Sequence, residues 1–207
     1  MTDTAARPVI DEIVGEDYSD ARLTGQQWRH RAYIGCSFRD ADLSGLRTEV
    51  VTFTDCDFTG ADMGGSRHVG TAFRNCTFEY TRLHKSEFRN SSFLGSVFHD
   101  ARLRPIRLDD VDFSLASLGG ADLRKTDLSG CRLREATLVD ADLRETVLTG
   151  ADLSGARTGG LRLDGADLRG ARVDAMLWST ASLERAKVDF AQAASYAAAQ
   201  GLDVGES

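Results

Sequence analysis

Between Ala121 and Gly170 apolar and polar positions recur every five residues: ADLRK TDLSG CRLRE ATLVD ADLRE TVLTG ADLSG ARTGG LRLDG ADLRG. Most units open on a small residue and continue with a polar or charged one, and all but one place leucine third. A fixed period without insertion marks an architecture in which one sequence unit is one structural step.

Five suits neither regular element. On an α-helix each step of five turns the side chain by roughly 140°, so the leucines would wind around the axis and form no stripe. In a flat strand an odd period sends successive leucines to opposite faces. A chain that bends once per unit, always turning its third residue inward, satisfies every leucine, and that describes a coil.

The number of sides follows from residues that recur at the full-turn spacing. Every twenty positions one row of centres reads Phe38, Phe58, Phe78, Phe98, Leu118, Leu138, Thr158, Trp178, and another reads Tyr33, Phe53, Phe73, Phe93, Phe113, Leu133, Leu153, Val173. The row Leu43, Met63, Leu83, Leu103, Leu123, Leu143, Leu163, Leu183 is aliphatic throughout, and the fourth runs from Thr48 through His68 and Phe88 to Val188. Aromatics crowd two rows and are missing from a third, which predicts four sides and twenty residues per turn. The reading is of one all-β domain: a flexible arm over 1–15, the coil over 16–188 with a ragged first turn, and a C-terminal helix and tail over 189–207. Asp189 is the expected N-cap, Phe190 to Gln200 is alanine-rich, and Gly201 is the expected stop.

The unit resembles that of the pentapeptide-repeat family, over about Ala21 to Val188. The stretches RLRPIRLDDVDFSLASLGGADLR, GADLSGARTGG and VDFAQAASYAAAQGL are similar to those of its fluoroquinolone-resistance members. The resemblance implies a right-handed quadrilateral β-helix with a short C-terminal α-helix, joined as a homodimer at the C-terminal ends. It also implies a DNA-sized rod that binds DNA gyrase, modulates or inhibits it, and protects it from fluoroquinolones. The expected dimer contacts are Phe190, Tyr196 and Leu202. No inserted loop interrupts the register, a departure from family members whose projecting loops contribute to drug protection.

Charge bears on the mimicry. With 25 basic and 32 acidic residues the formal charge is -7, which disfavours direct nucleic-acid binding and favours cationic partners. Two chains carry -14, twice -7; spread evenly along an end-to-end dimer on the order of 75 Å long, this falls about threefold short of duplex DNA, so imitation requires the carboxylates to gather. The candidate acidic face is in the C-terminal half: Asp112, Asp122, Asp127, Asp140, Asp142, Glu145, Asp152 and Asp167. Charge reversal at Asp122 and Asp142 is expected to weaken gyrase binding. The alternative is a non-catalytic repeat scaffold for another protein, its acidity serving solubility.

Chemistry is otherwise sparse. There is no phosphate loop, CxxC, HExxH or nucleophile elbow, so neither an enzyme nor a cofactor nor a small-molecule substrate is expected. Cys36, Cys56 and Cys76 lie twenty apart in the small position with Cys131 likewise placed, and a single-file row cannot surround a metal tetrahedrally. His68 shares its row with Thr48 and Phe88, which suits a hydrogen-bonded interior residue. Leu46 and Thr48 exchange large and small positions, and Pro105 marks a place where two coil geometries meet. The N-terminus lacks a signal-peptide core and no apolar run spans a bilayer, so the cytoplasm is the expected compartment.

Overall fold

The computed structural model describes residues 10–205. Among them are nine short strands: β1 (Asp11–Val14), β2 (Gln27–Arg29), β3 (Arg31–Ile34), β4 (Arg47–Glu49), β5 (Thr52–Thr54), β6 (Arg67–Val69), β7 (Ala72–Arg74), β8 (Glu87–Arg89) and β9 (Arg107–Asp109). Every pairing is parallel and in register at twenty residues, so that Phe53 faces Phe73 and Thr48 faces His68. Sheet β1-β3-β5-β7 forms one wall and β2-β4-β6-β8-β9 another. The remaining walls hold the same spacing through single parallel bridges such as Asp57 to Thr77 and Asp62 to Arg82. The result is a right-handed four-walled β-helix. Its walls are numbered here by their inward rows: wall 1 from Tyr33, wall 2 from Phe38, wall 3 from Leu43 and wall 4 from Thr48.

Wall geometry changes on two walls at different heights, and only the change on wall 4 falls next to the proline. Wall 1 gives up three-residue strands after β7 and wall 4 after β9, and from there both walls repeat a single bridge followed by a turn. Between Gly15 and Gly170 every fifth residue takes φ from +46° to +73° except Pro105, whose ring forbids it. Asp and Asn fill many of these corners because their short polar side chains tolerate the left-handed region. Val50, β-branched at φ +53°, costs about 1 to 2 kcal/mol there.

Inside, the rows stack. Phe38, Phe58, Phe78 and Phe98 lie ring over ring at 5.0, 5.0 and 4.9 Å, nearly parallel. Phe53, Phe73, Phe93 and Phe113 do the same on wall 1, and the two ladders meet edge to face, Phe53 to Phe58 at 5.3 Å and 77°. Each ring is thus stacked along its wall and T-shaped across the corner, two favourable aromatic geometries at once. Their burial contributes roughly 1.5 to 3 kcal/mol per side chain. Leu46 is fully buried opposite the smaller Thr48, so the exchange of volumes stands.

Wall 4 carries a polar thread through this core. The Thr48 hydroxyl lies 2.7 Å from Thr71 Oγ1 and 2.6 Å from His68 Nδ1, while His68 Nε2 lies 2.9 Å from Ser66 Oγ. Ser66 donates to Ser86 Oγ at 3.2 Å and Ser86 donates to the Met63 carbonyl at 2.8 Å. The terminal carbonyl can only accept, which fixes the direction of the thread. Ser66 therefore accepts from Nε2–H, and Nδ1 is the nitrogen that accepts from Thr48. Every member is satisfied, the condition under which a buried polar chain is tolerated.

Both ends differ from the sequence reading. The arm expected over 1–15 gives up Asp11–Val14, which form β1 and pair with Arg31–Ile34; residues 1–9 lie outside the described residues. DEIVG is a unit with Ile13 at its centre, disguised by Asp11 in the small slot, and it completes a first turn with Tyr18, Leu23 and Trp28 as the other centres. At the other end an unexpected helix, α1 (Ala175–Thr180), replaces one side of wall 2. Met176 is too large for the small slot and turns outward, while the helical turn brings Leu177 and Trp178 both inward. The register survives it, Arg162 bridging Ser182 and Asp167 bridging Lys187.

The second helix, α2 (Phe190–Ala199), follows Asp189, whose side chain accepts from Gln192 N while the Gln192 side chain reaches back to Asp189 N. Gly201 at φ +87° ends it. Docking is polar: the buried Gln192 donates to the Leu168 and Ala171 carbonyls at 2.6 and 2.8 Å, and Trp178 Nε1 donates to Ser195 Oγ at 3.0 Å.

Candidate functional site: an acidic wall

The corner-and-bridge backbone fixes which side chains share a surface, because the second and fourth residues of each unit point outward and repeat every twenty. The eight carboxylates expected to form one face are distributed over four walls. Asp112 and Asp152 lie on wall 1, Asp140 on wall 2, Asp122, Asp142 and Glu145 on wall 3, and Asp127 and Asp167 on wall 4. Six of them are ion-paired. Asp122 takes Arg124 Nη2 at 2.8 Å and Arg104 Nη1 at 3.0 Å; Asp142 takes Arg144 and Arg162 at 2.8 and 3.0 Å. Asp112 pairs with Arg132, Asp152 with Arg134, Asp167 with Arg169 at 2.6 Å and Glu145 with Lys125. Hydrogen bonds from Arg124 hold the Asp122 carboxyl far below the ordinary range, and those from Arg169 hold Asp167 at about 2. These groups are ionised but locally neutralised.

The unneutralised acidity is elsewhere. Counting each unit with its wall, wall 2 carries Glu16, Asp17, Asp20, Asp40, Asp57, Glu79, Asp100 and Asp140 against Arg39 and Arg157 only, a net charge of -6. Wall 3 carries ten Lys or Arg against seven Asp or Glu, a net +3. On wall 2 only Asp57, 2.8 Å from Arg39, and Asp100, 3.3 Å from His99, have a basic partner among the described residues. All the excess falls between Glu16 and Asp100, a span of about 20 Å at the ~4.8 Å spacing of paired strands. That is about one net charge per 3 to 4 Å, half the linear density of duplex DNA. Asp17 accepts a hydrogen bond from Ser19 and is held below the usual range; for Asp57, burial pushes upward but Thr59 and Arg39 outweigh it. Both are anionic at neutral pH.

His68 is sealed inside, where burial lowers it to about 3, and burial likewise pushes the Cys131 thiol up to about 11. The stacked Cys36, Cys56 and Cys76 thiols each donate to a backbone carbonyl twenty-three residues earlier. Among the described residues no group of His, Cys, Asp and Glu is arranged to hold a metal ion, and no helix is long and apolar enough to cross a membrane.

The expected dimer contacts lie at the C-terminal end. Phe190 is 98% exposed, Leu202 64% and Tyr196 43%, and Met176 and Val204 are exposed as well. Tyr196 also lines a groove of about 290 Å³ together with Trp178, Leu183, Ala186, Val188 and Ala193.

Comparison with known proteins agrees with this geometry. The full-length plasmid-mediated fluoroquinolone-resistance protein QnrB1 superposes with a TM-score of 0.83 at 20% identity, over 94% of this chain and 99% of that one. A trypsin-treated form of QnrB1 gives 0.66 at 22% identity, over 95% and 99%. At these identities the likeness is one of fold. No curated sequence relative matches the chain. The family profile described as pentapeptide repeats (8 copies) matches segments that together run from residue 34 to residue 175. Twenty-residue turns, inward rows and profile coincide over most of the length, and the chain belongs to the pentapeptide-repeat family.

Proposed function

We propose that this protein is a non-catalytic, cytoplasmic binder of DNA gyrase that presents wall 2 as an imitation of duplex DNA, inhibiting the enzyme and shielding it from fluoroquinolones. The observation that carries the reading is the net charge of -6 gathered on one wall of the coil, while the other walls are close to neutral or, on wall 3, net positive. Such a surface fits a basic groove, steers association and weakens as salt rises. Membership of the family and the fold shared with QnrB1 support it. Relaxed plasmid, gyrase and graded amounts of the protein provide the test. Supercoiling should fall with dose and drug-induced cleavage should drop, both effects fading at high salt. No change in either assay would leave a repeat scaffold for another protein as the better account.

The active unit in this reading is a homodimer joined at the C-terminal ends. An almost wholly exposed Phe190 on the helix whose Ala193 and Tyr196 line an apolar groove is the feature that supports it, because a second copy would bury such apolar surface from both sides. The two acidic stretches would then stand at the outer ends of the rod. Sedimentation of the full chain at tens of micromolar should give the dimer mass, and the double variant Phe190→Glu, Leu202→Glu the monomer mass. A wild-type monomer would discard the joined form.

A further inference from the structure

Wall 3 runs alongside the acidic wall with the opposite sign, and its cations are organised. Arg104, Arg124 and Arg144 occupy one outward column on three successive turns, about 4.8 Å apart. With Lys125 and Glu145 they line an open groove of about 240 Å³. Asp122 and Asp142 in the neighbouring column brace the guanidiniums. Arg124 donates Nε and Nη2 to the two oxygens of Asp122 at 2.9 and 2.8 Å, and Arg144 does the same to Asp142 at 2.8 and 2.8 Å. Arg104 adds Nη1 to Asp122. This leaves Nη1 of Arg124 and Arg144, and Nε and Nη2 of Arg104, without a protein acceptor among the described residues.

Fixed guanidinium donors with spare N–H groups are what oxyanions bind, since bracing removes the side-chain entropy that an exposed arginine otherwise loses on binding. We propose that this groove is a binding site for a compact oligophosphate, such as the phosphate chain of a di- or triphosphate ligand, held by Arg104, Arg124, Arg144 and Lys125. Length argues for a compact anion. Beyond Arg144 the same outward column continues as Asp164 and Glu184. A polyanion laid along the rod would run onto those carboxylates on the C-terminal side of the patch. Three rungs span roughly 10 Å, a length suited to two or three linked phosphates.

Titration calorimetry of the full chain with tripolyphosphate at low salt tests the site. Saturable one-to-one binding is expected, with Kd on the order of 10 to 100 µM. Arg124→Gln with Arg144→Gln should weaken it at least about tenfold, and Arg124→Lys with Arg144→Lys severalfold, because the ammonium keeps the charge and loses the fork. Arg89→Gln on wall 4 should leave it unchanged. Circular dichroism checks the fold of each variant. Should the double variant fail to fold, the exposed Lys125→Gln decides, with a twofold to threefold loss expected. The site is refuted by the absence of saturable binding, by unchanged affinity in the folded arginine variant or in Lys125→Gln, or by a 20-base-pair DNA duplex that binds through the same arginines as tightly as tripolyphosphate. None of these outcomes depends on gyrase.

Discussion

Replacing Asp40, Asp57 and Glu79 with lysine should weaken binding to gyrase by about a hundredfold or more. The three reversals take wall 2 from a net -6 to zero without touching the interior, because all three side chains point outward. Six units of charge at about 0.5 to 1 kcal/mol each amount to a loss of about 3 to 6 kcal/mol, felt first in the association rate and most at low salt. The fold should tolerate the changes. Asp40 sits at a corner with φ +55°, and lysine already occupies such corners at Lys85 and Lys125. Neutralising Asp122 and Asp142 to asparagine on wall 3 is the comparison. Surface plasmon resonance with immobilised gyrase at two salt concentrations reads both sets. A triple variant within twofold of wild type would remove wall 2 from the interface, and a larger loss from the wall 3 pair would move the interface there.

Acid should undo the protein partly through His68. Its folded pKa of about 3 lies below the ordinary 6.5 because the ring is entirely buried, so between these values the unfolded chain binds a proton that the folded chain refuses. The stability contribution is complete above pH 6.5 and is lost progressively as pH falls toward 3. By pH 4.5 the loss amounts to about 2 to 3 kcal/mol, before most carboxylates titrate. Urea unfolding at pH 7.5, 5.5 and 4.5, followed by circular dichroism, should show the wild type losing stability across that window. His68→Phe should lose little, whatever its stability at pH 7.5. Parallel slopes for the two proteins would mean that the thread on wall 4 opens to admit the proton before the coil unfolds.

The inward half of the molecule was legible in the sequence and the outward half only in part. Phe38, Phe58 and Phe78 declare their stacking at the twenty-residue spacing because the interior tolerates only what fits over its neighbour. The first turn was hidden by Asp11, which a terminal coil accepts at a slot facing water. Helix α1 was hidden because Trp178 keeps its place in the inward row while Met176 breaks the unit beside it. The surface had a signal that the centres alone did not carry. Summing charge down the second, fourth and fifth positions at the same spacing separates wall 2 from wall 3. Looking instead for nearby aspartates in the C-terminal half selects groups such as Asp122, whose neutralising arginines sit in the adjacent column and are seen as partners only once the coil is built.

The four equal sides have a consequence for how such a chain can change length. Adding five residues at a corner would leave every leucine and phenylalanine with an inward place, yet rotate everything downstream by a quarter turn, so charges that shared a wall would part company. Adding twenty restores alignment and lengthens the rod by one storey. Indels in multiples of the full circuit therefore keep both core and surface in alignment, whereas a single extra unit keeps the inward pattern but mismatches the rows at its junction and scrambles the exterior pattern.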